Sequence, residues 1–82
     1  EQMTYTLYHM GHCPYCKKVI KHIKQQQLSV NYKDLDTHQK LRNELKSGGG
    51  KIQVPCLLIE EKGKSAQWMY ESQDIIEYLQ QR

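Results

Sequence analysis

Two cysteines three positions apart, Cys13 and Cys16, constrain this chain more than any other feature of its sequence. They follow a short β-prone run at residues 4–9 and open a basic amphipathic run at residues 16–27. Two thiols at this spacing can close a small disulfide ring or share a metal ion. A helix N-terminus offers unpaired N–H groups and partial positive charge, which activate a thiol placed there. We therefore expect Cys13 to be a nucleophile and Cys16, about one turn inside the helix, to be a more buried resolving thiol.

The rest of the composition fits one small domain, residues 1–82. Hydrophobic residues make up 38% of the chain, Phe is absent and the mean hydropathy is −0.84, so the core must be small. The net charge of +3 is too low to indicate nucleic-acid binding by itself. No run is long or apolar enough for a membrane span or a signal peptide. Three cysteines, an odd number, do not suggest a secreted disulfide scaffold, so we predict a cytoplasmic protein.

Apolar periodicity and turn signals predict an order of βαβ, helix, ββα. The predicted strands are residues 4–9, 30–34, 56–59 and 67–70, and the first two should lie parallel because a helix connects them. The first predicted helix starts at Pro14 and runs to residue 27. Asp36 or Thr37 should cap the second helix, and the glycines at 48–50 should end it as a flexible loop. Ser72 should cap the third. This pattern predicts an α/β fold, a four-stranded mixed sheet flanked by three helices.

A metal site is the alternative use of the cysteine pair, because C-x-x-C is also half of a zinc site. Zinc needs four ligands, and the sequence holds no second C-x-x-C and no H-x-x-x-H. His9, His12 and Cys56 could contribute only through an arrangement that the sequence does not signal. We therefore favour redox chemistry and expect no metal. Alternation along its strand points Cys56 away from Cys13, so we expect it to be a small buried residue.

The tetrad Cys13-Pro14-Tyr15-Cys16 is the active-site sequence of dithiol glutaredoxins, and the chain resembles a glutaredoxin over nearly its whole length. Val54-Pro55 ahead of a strand and a polar turn at residues 71–74 add to the resemblance. It implies a thioredoxin-like fold with a cis Pro55 lying against the cysteines. It also implies that the backbone of Val54 holds the cysteinyl part of glutathione like an added strand.

Two positions depart from the usual glutaredoxin pattern. Glu71-Ser72 stands where glutaredoxins commonly have Gly-Gly, and with the following Ile75-Ile76 it resembles the N-terminal domain of glutathione transferases, where this pair grips the γ-glutamyl end. Either version puts a helix N-terminus at the glutathione α-carboxylate, with Asp74 at the α-ammonium. Plain helix capping by Ser72 remains an alternative. Met10 stands where a Lys or Arg usually pairs with the glycyl carboxylate.

His12, Lys17 and Arg42 are the candidates to replace that missing cation, and the sequence does not choose among them. Gln53 stands where Thr is frequent, which matters less because backbone groups do the binding. The resemblance implies a glutathione-binding set of Tyr15, Gln53, Val54, Pro55, Glu71, Ser72 and Asp74.

By this resemblance the chain is a glutathione-dependent thiol–disulfide oxidoreductase. Cys13 attacks, Cys16 closes the bridge, and glutathione is the reducing co-substrate. The implied partners are glutathionylated or disulfide-containing proteins, with no nucleic acid or membrane, and we expect a monomer. The lysines between residues 17 and 24 are interpreted as a solvated helix face.

Two other classes stay open. One is a thioredoxin-type enzyme served by a reductase, although its tetrad normally carries Gly-Pro. The other is an iron–sulfur or zinc module that uses the same cysteines. A full glutathione transferase is disfavoured because the chain ends where a helical second domain would begin.

Overall fold

Strands and helices follow one another along the chain in the order that the sequence predicts. The computed structural model describes residues 3–81, so residues 1, 2 and 82 of the predicted domain lie outside it. The elements are β1 (Met3–His9), α1 (Pro14–Gln25), β2 (Asn31–Asp34), α2 (Gln39–Gly49), β3 (Cys56–Glu61), β4 (Gln67–Met69) and α3 (Ser72–Gln80). Over this described range, no helix has both the length and the apolar character needed to cross a membrane.

The four strands form one mixed sheet in the order β2-β1-β3-β4. β1 pairs with β2 in parallel, with Leu7 opposite Tyr32, which confirms the predicted βαβ unit. β1 pairs with β3 in antiparallel fashion, as does β3 with β4. Because β1 and β3 are antiparallel neighbours, the loop after β1 and the loop before β3 meet at the same end of the sheet. Those loops carry Cys13 and Pro55.

Each face of the sheet is covered by its own apolar cluster. On one face the helices α1 and α3 contribute residues at helical spacing to a core of Leu7, Val19, Ile23, Leu57, Ile59, Ile75, Ile76 and Leu79. On the other face, alternate residues of the same strands pack under α2 with Tyr8, Leu35, Leu45, Cys56 and Leu58. This alternation follows from the two-residue period of a strand. The face with α1 and α3 is the one whose helix N-termini form the site.

The glycines at the end of α2 do not form the predicted flexible loop. Gly48 and Gly49 are the last two helical residues, and only Gly50, with φ of 96°, lies in the left-handed region that ends the helix. A Cβ at Gly48 would collide with the ring of Trp68, and one at Gly49 would collide with Tyr70. The two helical glycines therefore allow α2 to approach these aromatic side chains closely.

The start of α2 also differs from the prediction. The N-cap is His38, which makes no side-chain capping bond, rather than Asp36 or Thr37. Both of those side chains have other partners: the Asp36 carboxylate accepts the Gly11 N–H at 3.0 Å, and the Thr37 hydroxyl donates to the carbonyl of residue 34 at 2.7 Å. The loop after β2 is thus used to hold the loop before α1.

The remaining boundaries shift by one or two residues. α1 ends at Gln25 instead of residue 27, because Gln27 adopts a positive φ of 56° that a helix cannot continue through. β2 begins at Asn31, one residue later than predicted. β3 continues two residues further, to Glu61, so the connection to β4 is shorter than the sequence suggested.

Candidate functional site

Cys13 is the N-cap of α1. Its backbone is extended, with φ of −95° and ψ of 110°, and its sulfur accepts the backbone N–H of Cys16 at 3.2 Å. Pro14 is the first helical residue, a position where the missing N–H costs nothing. The Cys13 carbonyl accepts the N–H of Lys17 at 3.1 Å, which closes the first turn. The nucleophile predicted from the sequence therefore sits in the electrostatic field of a helix N-terminus.

The two sulfurs of the pair differ in accessibility. Cys13 is partly exposed, whereas the side chain of Cys16 is completely buried, and both are free thiols. Burial is the main cause, and the hydrogen bond with Cys13 the next, of a Cys16 thiol pKa raised to about 12. Cys16 is therefore a protonated thiol at neutral pH. The structure gives only Cys13 a path to a substrate in solution.

The loop before β3 brings the backbone of Val54 to the sulfur of Cys13. The Val54–Pro55 peptide bond is cis, as the resemblance to glutaredoxins implied. The thiol of Cys13 donates a long hydrogen bond to the Val54 carbonyl, with a sulfur–oxygen distance of 3.9 Å. Backbone groups of this loop therefore border the same space as the reactive sulfur.

A groove of about 420 Å³ opens beside this loop. It is lined by Tyr15, Gln53, Val54, Pro55, Tyr70, Glu71 and Ser72. Six of the seven residues that the resemblance implied for glutathione binding are thus brought together, from three separate parts of the chain. Asp74 is not among the lining residues and lies in the first turn of α3. Tyr15, 64% exposed, is the open wall of the groove.

The start of α3 forms one end of this groove. Its N-cap is Glu71, and Ser72 is the first helical residue, so the prediction that Ser72 caps this helix is wrong by one position. The Glu71 carbonyl already accepts the N–H of Ile75 at 2.9 Å, which starts the helix one residue earlier. The Glu71 side chain makes no capping bond and instead accepts the Gln53 amide at 3.3 Å. The Ser72 hydroxyl is therefore not committed to capping.

Tyr70 is a wall of the groove that sequence reasoning missed. Its hydroxyl donates to the Lys51 carbonyl at 3.0 Å, and the Lys51 ammonium lies 4.7 Å from the centre of its ring. These contacts, together with its packing against Gly49, fix the ring between α2 and the groove. The available signal was its position directly before the predicted Glu71-Ser72 pair.

On the opposite flank, the loop that precedes Cys13 is held by a carboxylate. The Asp36 side chain that accepts the Gly11 N–H also lies 3.6 Å from the Arg42 guanidinium. Of the three cations considered for the glycyl carboxylate, Arg42 is therefore already paired, whereas His12 and Lys17 are exposed. Met10 packs against the apolar cluster under α2.

Cys56 does not line the groove and lies in the apolar cluster behind its Tyr70 wall. It is fully buried in the cluster under α2, on the other face of the sheet from α1, as its alternation along the strand predicted. Burial raises the pKa of its thiol to about 11. Among residues 3–81, His, Cys, Asp and Glu side chains nowhere gather in a group of three that could hold a metal ion.

Comparison with known proteins gives one family match. The sequence model of the glutathione S-transferase N-terminal domain matches residues 7–82. The comparison with curated proteins found no match.

Solved structures with the same fold include a maleylacetoacetate isomerase from Anaeromyxobacter dehalogenans, one structure of which has glutathione bound in its active site. It is 24% identical with a TM-score of 0.75, and the match covers 100% of this chain and 38% of that one. The thioredoxin-like protein BC3987 is 22% identical with a TM-score of 0.73, over 95% of this chain and 97% of that one. These likenesses show a thioredoxin-like fold, and this chain spans 38% of the length of the isomerase.

Proposed function

This chain belongs to the glutathione S-transferase N-terminal domain family, and we propose that it acts as a glutathione-dependent thiol–disulfide oxidoreductase of the dithiol glutaredoxin type. The observation that carries the proposal is the pairing of an accessible Cys13 at a helix N-cap with a completely buried Cys16 one turn behind it. A transferase that only binds glutathione needs no second thiol at that place. The proposal treats residues 1–82 as one functional domain, acting as a monomer.

Glutathione is proposed to lie in the groove beside Cys13. The groove volume of about 420 Å³ is in the range of small-molecule sites, roughly 300–1,000 Å³. The backbone of Val54 would pair with the cysteinyl residue, and Tyr15, Gln53 and Pro55 would flank it. The α-carboxylate would meet the Ser72 hydroxyl and the N–H groups at the start of α3, beside Glu71. Asp74, one turn in, would attract the α-ammonium.

The first step is attack by the Cys13 thiolate on the glutathionyl sulfur of a protein–glutathione mixed disulfide. A bond forms between Cys13 and that sulfur, and the protein thiolate leaves and takes up a proton. The thiolate of a second glutathione then attacks the same glutathionyl sulfur, so oxidised glutathione leaves and Cys13 returns to the thiolate. The net reaction converts the mixed disulfide and one reduced glutathione into the protein thiol and one oxidised glutathione. Pairs of this type lie at roughly −200 to −230 mV, close to the glutathione pool.

Protein disulfides need Cys16. After Cys13 has formed a mixed disulfide with the substrate protein, Cys16 loses its proton and attacks the Cys13 sulfur, which releases the substrate as a dithiol. Two glutathione molecules then reduce the Cys13–Cys16 bridge. Because Cys16 is buried and protonated, it cannot compete with Cys13 for the first attack. Such a cycle requires a reducing compartment, and we propose the cytoplasm.

The test is glutathione-dependent reduction of a small mixed disulfide between glutathione and 2-mercaptoethanol. Cys13→Ser should lower turnover by at least roughly 10³-fold, because the nucleophile is lost. Cys16→Ser should keep this activity but lose reduction of an intramolecular protein disulfide. Persistent turnover by the Cys13→Ser protein would contradict the proposal. Turnover supported by a thioredoxin reductase but not by glutathione would instead assign a thioredoxin-type enzyme.

The family match and the Glu71-Ser72 turn favour a second candidate, the glutathione-binding domain of a transferase. Such a domain would use Cys13 or a neighbouring hydroxyl to activate glutathione toward an electrophile. Conjugation of glutathione to chlorodinitrobenzene that is unaffected by Cys16→Ser, without disulfide reduction, would favour this candidate.

A further inference from the structure

A row of lysines leads away from Cys13 along the outer side of α1. Lys17, Lys21 and Lys24 are exposed and follow one another at spacings of four and three residues, so they share one helix face. The helix carries no Asp or Glu. Within the described range 3–81, none of the ion pairs involves these three ammonium groups. Like charges at these spacings destabilise a helix, so this row is unfavourable until a negative partner neutralises it.

The row has an apolar floor. A groove of about 570 Å³ lies among the three lysines around Ile20, and a second of about 220 Å³ shares Ile20 and Lys24 with it. The second groove continues to Tyr32 on the edge strand β2, where the ring is 41% exposed. We call Lys17, Ile20, Lys21, Lys24 and Tyr32 the α1 basic face. Its shape suits an extended segment that carries both acidic and apolar side chains.

Charge on the two sides of the nucleophile is opposite in sign. The α1 basic face starts one turn from Cys13, whereas α3, at the other side of the glutathione groove, carries Asp74 and Glu77 and has Glu71 as its N-cap. An acidic segment approaching Cys13 is therefore attracted along α1 and repelled from α3. This asymmetry gives an approaching polypeptide one preferred direction across the site.

We propose that the α1 basic face receives an acidic polypeptide segment next to the disulfide that Cys13 attacks. The inference rests on the proposed function and names its substrate class: proteins whose target disulfide is flanked by acidic residues and at least one apolar residue. A second copy of this chain is a poor occupant because its own basic face would be repelled. Nucleic acid lacks the apolar side chain that would fill the groove around Ile20.

The experiment compares two disulfide-linked peptides that differ only in four Glu or four Gln beside the disulfide. At about 20 mM salt the wild type should reduce the acidic peptide with a kcat/KM at least about ten-fold higher, and about 300 mM salt should remove most of that preference. The double variant Lys21→Glu with Lys24→Glu should lose the preference and still turn over the small glutathione mixed disulfide. A matched charge change on other surfaces, Lys40→Glu with Lys62→Glu, should keep most of it.

Equal rates for the two peptides, or the same loss in both double variants, would overturn the proposal. Fluorescence anisotropy with the dithiol forms of the peptides separates this result from failure of the proposed function, because binding needs no chemistry. Selective binding of the acidic dithiol peptide that depends on Lys21 and Lys24 would support the inference even if small-disulfide turnover were absent. Loss of DNA binding or of self-association in the double variant, without peptide selectivity, would also overturn it.

Discussion

Two helix N-termini face the same groove and differ in their capping. At α1 the N-cap side chain, Cys13, accepts a backbone N–H of its own first turn at 3.2 Å. At α3 the N-cap side chain, Glu71, makes no such bond and is taken by Gln53. Both ends carry the partial positive charge of a helix start. At α1 the sulfur of Cys13 lies in that positive field and accepts one of the N–H groups. At α3 the side chain of Glu71 accepts none of the first-turn N–H groups.

The difference in capping suits the two helix ends to different tasks. A terminus whose N–H group points at a reactive sulfur stabilises negative charge on that sulfur. A terminus without side-chain capping keeps N–H groups for an external anion. We infer that α1 serves the chemistry and α3 serves binding. The predictions below test whether the two ends can be disturbed independently.

The largest effect should be on alkaline stability at α1. The folded protein keeps the Cys16 proton up to a pKa of about 12, whereas the unfolded thiol loses it near 9. Between these values the unfolded state binds fewer protons, so the free energy of unfolding should fall as the pH rises, by up to about 1.4 kcal/mol per pH unit. Below pH 9 this contribution is fully present.

Urea unfolding of the reduced protein between pH 8 and 11 measures this slope. Cys16→Ala should give a shallower slope above pH 9, while any contribution from Cys56 stays in both proteins. Identical slopes for the wild type and the variant would show that Cys16 is not held as a buried neutral thiol.

The next effect compares capping at the two ends. Cys13→Ala removes the acceptor of the Cys16 N–H and should lower the free energy of unfolding by about 1 kcal/mol. Cys13→Ser keeps an acceptor and should restore that stability without restoring activity. Ser72→Ala, which removes no capping bond, should change stability by less than about 0.5 kcal/mol. Denaturant midpoints of the three variants measure these changes, provided that the free energy of unfolding depends on denaturant concentration with the same slope in each. Equal losses in the free energy of unfolding for Cys13→Ala and Ser72→Ala would contradict the inferred difference in capping between α1 and α3.

The smallest effect should be on binding at α3. Ser72→Ala should raise the KM for the glutathione mixed disulfide by about three- to ten-fold, as loss of one hydrogen bond predicts, with kcat nearly unchanged. Gln73→Ala is the matched control, because Gln73 bonds with Glu77 at 3.0 Å and does not line the groove. A similar rise in both variants would mean that helix fraying, rather than a ligand contact, is responsible.

The sequence predicted the parts of the site that depend on local order. A thiol before a proline at a strand-to-helix junction becomes an N-cap whatever the rest of the chain does, and Val54-Pro55 has to precede β3. The order of the strands and the parallel β1–β2 pair followed from the connecting helix. These features need only the neighbouring residues and chain connectivity.

The sequence did not predict features decided by contacts between distant segments. Glycines usually end helices, but Gly48 and Gly49 remain helical because Trp68 and Tyr70, some twenty residues later, occupy the space a side chain would need. The position of Tyr70 in the groove wall likewise depends on its contact with the distant Gly49. Local sequence favours Asp36 or Thr37 as a helix cap, yet the Asp36 carboxylate accepts the Gly11 N–H of another loop. Tertiary packing overrode local preference in each case.

The burial of two sulfurs has a consequence for repeated oxidation. A peroxide or foreign disulfide that meets this domain from solvent finds a single reachable thiol, since Cys16 and Cys56 are both fully covered. Cys56 lies in the apolar cluster under α2, on the other face of the sheet from α1, which disfavours an internal bridge that involves it. In the proposed redox cycle, the packing of the core would therefore protect the chain from the wrong internal disulfide.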